Sequence, residues 1–156
     1  TYIKPSVLII IDEFETVKNK PATYKIYFHS EYTFNSLSEN TFSAVGKNGA
    51  VQIMTLIPKK VESSGFKQNI KEVSGVVKRT LETLYISNRK PSEKGFFVNV
   101  LQVYPAKGQP SFIPSTLDDK NGKAIGIVLT SKEKTMTFML NPDKKDLSSS
   151  IFNVIK

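Results

Sequence analysis

The sequence predicts an all-β protein, an antiparallel β-sandwich of roughly eight to ten strands. Short runs rich in isoleucine, valine, threonine and aromatic residues recur along the chain, and most of them alternate apolar with polar side chains. Asn-Gly, proline and glycine steps separate those runs.

Residues 6–14 form the first run, rich in isoleucine and closed by Asp12, Glu13 and Glu15. The next is Thr23-Tyr24-Lys25-Ile26-Tyr27-Phe28-His29, entered through Asn19-Lys20-Pro21; Tyr24, Ile26 and Phe28 share one face, and Thr23, Lys25, Tyr27 and His29 the other. Residues 41–45 and 50–57 flank Gly46-Lys47-Asn48-Gly49, whose Asn-Gly step accepts positive φ, so they predict a hairpin that Pro58 ends. Residues 59–80 show no clean period and read as a long basic loop, with 69–80 open to a short helical turn. Strand patterning resumes at 81–87, and after Lys90-Pro91-Ser92-Glu93-Lys94-Gly95 the apolar segment 96–104 reads as a central strand. A proline-marked linker, 105–114, precedes an Asn-Gly turn within 117–123; 124–130 and 135–140 form a terminal hairpin, and 151–155 an edge strand. No repeat or low-complexity segment divides the chain, so a single domain over 1–156 is expected. A chain of 156 residues buries about 70% of its unfolded surface, enough for one substantial core.

Composition narrows the function classes. Cysteine is absent, which excludes thiol catalysis, thiolate metal sites and disulfides, and the single histidine excludes a multi-histidine metal centre. No cofactor is expected. His29 stands at a strand end where Asp12, Glu13 or Glu15 on a neighbouring strand could meet it. Those acids could also serve as paired carboxylates for glycoside hydrolysis, but acids bunched at the end of an apolar strand ordinarily face water. Ser63-Ser64-Gly65 and Ser148-Ser149-Ser150 read as loop punctuation, since neither has the strand-turn-helix context of a nucleophile elbow. No apolar run is long enough to span a bilayer, so membrane insertion is not expected.

The net charge of +8 is unevenly spread: residues 1–57 balance at zero, 58–94 carry nine basic groups against four acidic, and 95–156 carry eight against five. Only Arg79 and Arg89 offer the planar fork that suits base edges, so nucleic acid is not the expected partner. An acidic polysaccharide fits better, with Lys59, Lys60, Arg79, Arg89 and Lys90 as the expected contacts and Tyr24, Tyr27, Tyr32 and Tyr85 as rings able to stack on sugars.

Several ordered segments resemble the C-terminal sandwich of heparinase II/III-like polysaccharide lyases. Ile3-Lys4-Pro5-Ser6-Val7-Leu8-Ile9-Ile10-Ile11-Asp12-Glu13 is similar to that family's basic-proline lead, apolar strand and acidic exit. Tyr24-Lys25-Ile26-Tyr27-Phe28-His29-Ser30, the glycine-led 49–58 and Phe96-Phe97-Val98-Asn99-Val100-Leu101-Gln102 resemble its later strands, in the same order over most of the chain. The resemblance implies an accessory sandwich that packs on an N-terminal helical toroid of the same polypeptide. There it helps shape the cleft of an enzyme that cleaves uronic-acid-containing polysaccharide by β-elimination, with a periplasmic or secreted location for the intact protein. The start at Thr1, without methionine, suits a fragment of such a protein. No catalytic or metal-binding residue of the family carries over, and this fragment alone is not expected to be an enzyme. The alternative is a free-standing carbohydrate-binding or adhesin-like sandwich.

Overall fold

A computed structural model describes residues 6–71, 77–140 and 154–155. The protein is all-β, and no helix occurs among the described residues. The strands are β1 (Ser6–Glu15), β2 (Lys25–Ser30), β3 (Phe34–Ser38), β4 (Thr41–Val45), β5 (Gly49–Ile57), β6 (Val61–Lys71), β7 (Val77–Asn88), β8 (Lys94–Pro105), β9 (Ile113–Asp118), β10 (Ala124–Thr130), β11 (Thr135–Met139) and β12 (Val154–Ile155). The chain falls into two compact units, Thr1–Gln109 and Pro110–Lys156, and the boundary lies inside the proline-marked linker.

The first unit is a two-sheet sandwich. One sheet has the order β1-β8-β5-β4-β3 and the other β2-β7-β6, all pairs antiparallel. Their facing sides share one apolar core: Phe42, Ile53 and Phe97 from the first sheet meet Val61, Leu84 and Ile86 from the second. The alternation expected in β2 holds, since Tyr24, Ile26 and Phe28 pack on this core while Lys25, Tyr27 and His29 face outward. Strand β8 is central, as its apolar sequence demands, with Phe97, Val98, Asn99 and Val100 all buried.

The second unit is a four-stranded antiparallel sheet, β12-β11-β10-β9. Its hairpin β10–β11 joins through Ser131–Lys134 as expected, and β12 falls within the predicted edge segment, of which 151–153 lie outside the described residues. The Asn-Gly turn is built by Asp119, whose Oδ1 accepts from the amides of Asn121 and Lys123, while Gly122 takes φ 75°.

Three strands depart from the sequence reading. In the supposed loop 59–80, residues 61–71 form β6 and 77–80 open β7, paired antiparallel, with 72–76 outside the described residues; Ser63-Ser64-Gly65 lies inside β6 rather than in a loop. Every residue of β6 from Glu62 to Ile70 is exposed, so neither face carries the apolar alternation by which a strand is recognised. Strand β3 is a short edge on which only Phe34 packs inward. Strand β9 contains Pro114, tolerated because β9 is itself an edge strand. The 41–57 hairpin forms as predicted, but its turn uses no positive φ; among the described residues that region is taken by Asn19 and Gly122.

On the core face of β5 and β8, Thr55 Oγ1 donates to Asn99 Oδ1 at 2.7 Å, both residues fully buried, and Asn99 Nδ2 has no partner among the described residues. Thr55→Val should therefore cost about 1–3 kcal/mol, because it strands the Asn99 amide in the core. Thr55→Val/Asn99→Leu should return to within about 1 kcal/mol of the wild type, since no polar group is then left unmet. Chemical denaturation of the two variants checks this; equal losses in both would show that the amide is not the source of the cost.

Candidate functional site

Three connections cross between the two sheets at one end of the first unit: β1 to β2, β5 to β6 and β7 to β8. At that end lies a groove of about 460 Å³, lined by Phe14, Ile57, Pro58, Lys60, Asn88, Arg89, Lys90, Ser92, Lys94, Gly95 and Phe96. Its floor is apolar and its polar rim is cationic. The lining holds no aspartate, glutamate, histidine or tyrosine.

Asn88 builds the rim. It ends β7, and its Oδ1 accepts from the Tyr24 amide at 2.7 Å. Its Nδ2 donates to the Lys90 carbonyl at 2.7 Å, with longer bonds to the Ala22 carbonyl and Ser92 Oγ. Ala22 and Ser92 also exchange backbone bonds at 3.0 and 3.1 Å. Glu93 ties the same turn to the β1–β2 connection, its carbonyl accepting from the Thr16 amide at 2.6 Å and its Oε1 from the Asn19 amide at 2.8 Å. The turn that carries Arg89 and Lys90 is thus held from both sides, and Lys60 reaches the groove from the β5–β6 connection after Pro58 has stopped β5.

The floor depends on a glycine. Phe14 pairs across strands with Gly95 and stacks on Tyr24 with ring centroids 3.6 Å apart. A Cβ on residue 95 would come within 2.8 Å of the Phe14 ring, so only glycine lets the ring lie where it does.

Of the five expected contacts, Lys60, Arg89 and Lys90 line the groove; Lys59 is adjacent in the β5–β6 connection but not in the lining. Arg79 is elsewhere: it lies toward the other end of β7 and pairs with Glu31 at 2.9 Å. Arg89 is paired as well, to Glu39 of the β3–β4 turn at 2.6 Å. Lys60, Lys90 and Lys94 make no ion pair among the described residues. Lys94 was missed by the sequence reading; its place beside Gly95 at the start of β8 was visible, but not that three connections meet there.

His29 does not meet Asp12, Glu13 or Glu15, which stand exposed on β1 in the other sheet; its Nδ1 lies 2.9 Å from Thr83 Oγ1 on β7. Among the described residues no cluster of histidine and carboxylates is arranged to hold a metal.

Gly95→Ala should displace the Phe14 ring from Tyr24 and cost about 1–3 kcal/mol through overpacking, read as a lowered denaturation midpoint. A variant as stable as the wild type would show that the floor is loosely packed.

Compared with known proteins, the chain matches no family model, no curated protein and no solved structure.

Proposed function

We propose that this chain is a non-catalytic β-sandwich that holds an acidic, uronic-acid-containing polysaccharide in the groove at the β7–β8 turn. In the setting that its sequence resemblance suggests, it serves as the accessory domain of a heparinase II/III-like lyase, beside the helical toroid that performs the β-elimination. One observation carries the reading: Lys60, Lys90 and Lys94 line one groove with an apolar floor and, among the described residues, have no carboxylate partners.

The chemistry of such a site suits a sugar acid. A pyranose ring is amphipathic, with C–H groups on its faces and hydroxyls on its rim, so Phe14, Pro58 and Phe96 offer its face an apolar bed. The ammonium groups meet carboxylates or sulfates as mobile point charges, and Arg89 adds a planar fork where a ligand carboxylate displaces Glu39. Exposed contacts of this kind contribute roughly 0–1 kcal/mol each, so affinity comes from several acting together and falls as salt rises.

Lys60→Glu/Lys90→Glu should weaken binding of defined uronate oligosaccharides by about tenfold or more at low ionic strength, measured by titration calorimetry. Arg79→Glu, toward the far end of β7, should leave affinity within about twofold of the wild type. Equal losses in both variants would replace the groove with a diffuse charge effect. Incubation of residues 1–156 with alginate or hyaluronan should produce no growth of the ultraviolet absorbance of an unsaturated uronic acid. Its appearance would overturn the non-catalytic reading.

A further inference from the structure

The outward face of the β2-β7-β6 sheet has no part in the groove, yet it starts where the groove ends. Lys60 leads directly into β6 and Asn88 closes β7, so the first outward row beyond them is Lys25 and Glu62, with the buried Ser87 between them. The next row is Tyr27, Tyr85 and Ser64, and the one after is His29, Thr83 and Phe66. Tyr27 is 49% exposed and Phe66 46%, on strands rather than loops. Tyr27 and Tyr85 stand with ring centroids 6.1 Å apart, and Lys25 Nζ sits 4.5 Å from the centre of the Tyr85 ring.

This is not a continuous apolar patch of the kind that buries against another protein core. Rings alternate with polar groups: Ser64, Lys25 and the His29 imidazole lie beside Tyr27, Tyr85 and Phe66, while Thr83, between His29 and Phe66, is buried and bonded to His29 Nδ1. Glu62 is the carboxylate of these rows, at the groove end, in the same row as Lys25. Alternating ring faces and hydrogen-bonding groups match the alternation of C–H faces and hydroxyl rims along a polysaccharide, and Lys25 offers its carboxylates a cation at the groove end.

We infer that the aromatic rows Tyr27–Tyr85 and Phe66 form a stacking platform on which an acidic polysaccharide continues after leaving the lysine groove. This rests on the groove reading for the identity of the polymer. From Asn88 to Thr83 the strand advances about 17 Å, so a chain must be longer than the groove to reach the second row of rings. The platform therefore makes affinity depend on oligomer length.

The test compares alginate tetrasaccharide and dodecasaccharide against the wild type, Tyr27→Ala/Phe66→Ala and Lys60→Glu/Lys90→Glu. The aromatic variant changes exposed side chains only and should lose about tenfold for the dodecasaccharide and nothing measurable for the tetrasaccharide. The lysine variant should lose affinity for both. In the wild type, the ring resonances of Tyr27 and Tyr85 should shift on adding the longer oligomer and stay put with the shorter one, a readout independent of any variant's folding. Unaltered dodecasaccharide binding by the aromatic variant, or unmoved ring resonances, overturns the platform and leaves the groove standing. Loss in the aromatic variant without loss in the lysine variant sinks the groove and keeps the platform. If the wild type binds neither oligomer, both fall; if it dimerises through these rings, the face belongs to a second copy of the chain and the platform is overturned.

Discussion

One side-chain amide organises the groove end of the first unit. Asn88 accepts from the Tyr24 amide and donates toward Ala22, Lys90 and Ser92, so a single residue spans the lead into β2, the end of β7 and the β7–β8 turn. An asparagine side chain offers two donors and an acceptor with two lone pairs, and little of that capacity is left unused. Because Asn88 is itself 7% exposed, these bonds form where competition from water is small and misalignment is costly. Tyr24, fixed at one end of this network, is the ring on which Phe14 stacks, and Phe14 is floor to the groove. Core, turn and groove are thus coupled through one amide.

Topology supplies the rest. In a two-sheet sandwich, a strand that leaves one sheet for the other must cross at an end, and three such crossings share an end here. Crossings are loops, and loops at the rim of a rigid scaffold are where charged side chains sit without desolvation. Lys60, Lys90 and Lys94 come from two separate crossings yet line one groove, whereas Arg79, closer in sequence to Lys90 than Lys60 is, ends up toward the far end of β7. Sequence density of charge and spatial density of charge are different quantities, and the antiparallel course of β6 and β7 separates them.

The legible part of the fold was the part with an inside and an outside. Strands β1, β2, β4, β5, β8, β10 and β11 each bury one face or both, and their apolar pattern announces them. Strand β6 buries almost nothing beyond Val61, so Phe66 and Ile70 look like strays in a polar loop although they belong to an eleven-residue strand. For the site, the residue types were readable and three of the five named positions line the groove, but Lys94 and the aromatic floor were not. Gly95 illustrates why: as a sequence feature it suggests a turn, while its role is to admit the ring of Phe14, 81 residues earlier in the chain.

The division of labour between the arginines and the lysines bears on what the groove can hold. Both arginines are spent on glutamates, Arg79 on Glu31 and Arg89 on Glu39, in pairs exposed on both sides. Exposed pairs of this geometry contribute little to stability, so under the proposed function a ligand carboxylate would replace Glu39 at the Arg89 fork at small net cost. The lysines, strongly hydrated and mobile, bind each anion weakly and without a preferred plane. A single sugar acid would gain too little from such contacts to offset its lost translational freedom. A polymer meets that cost once and then adds contacts at high effective concentration along its length, so a rim of weak, convergent charges favours a chain over its monomer.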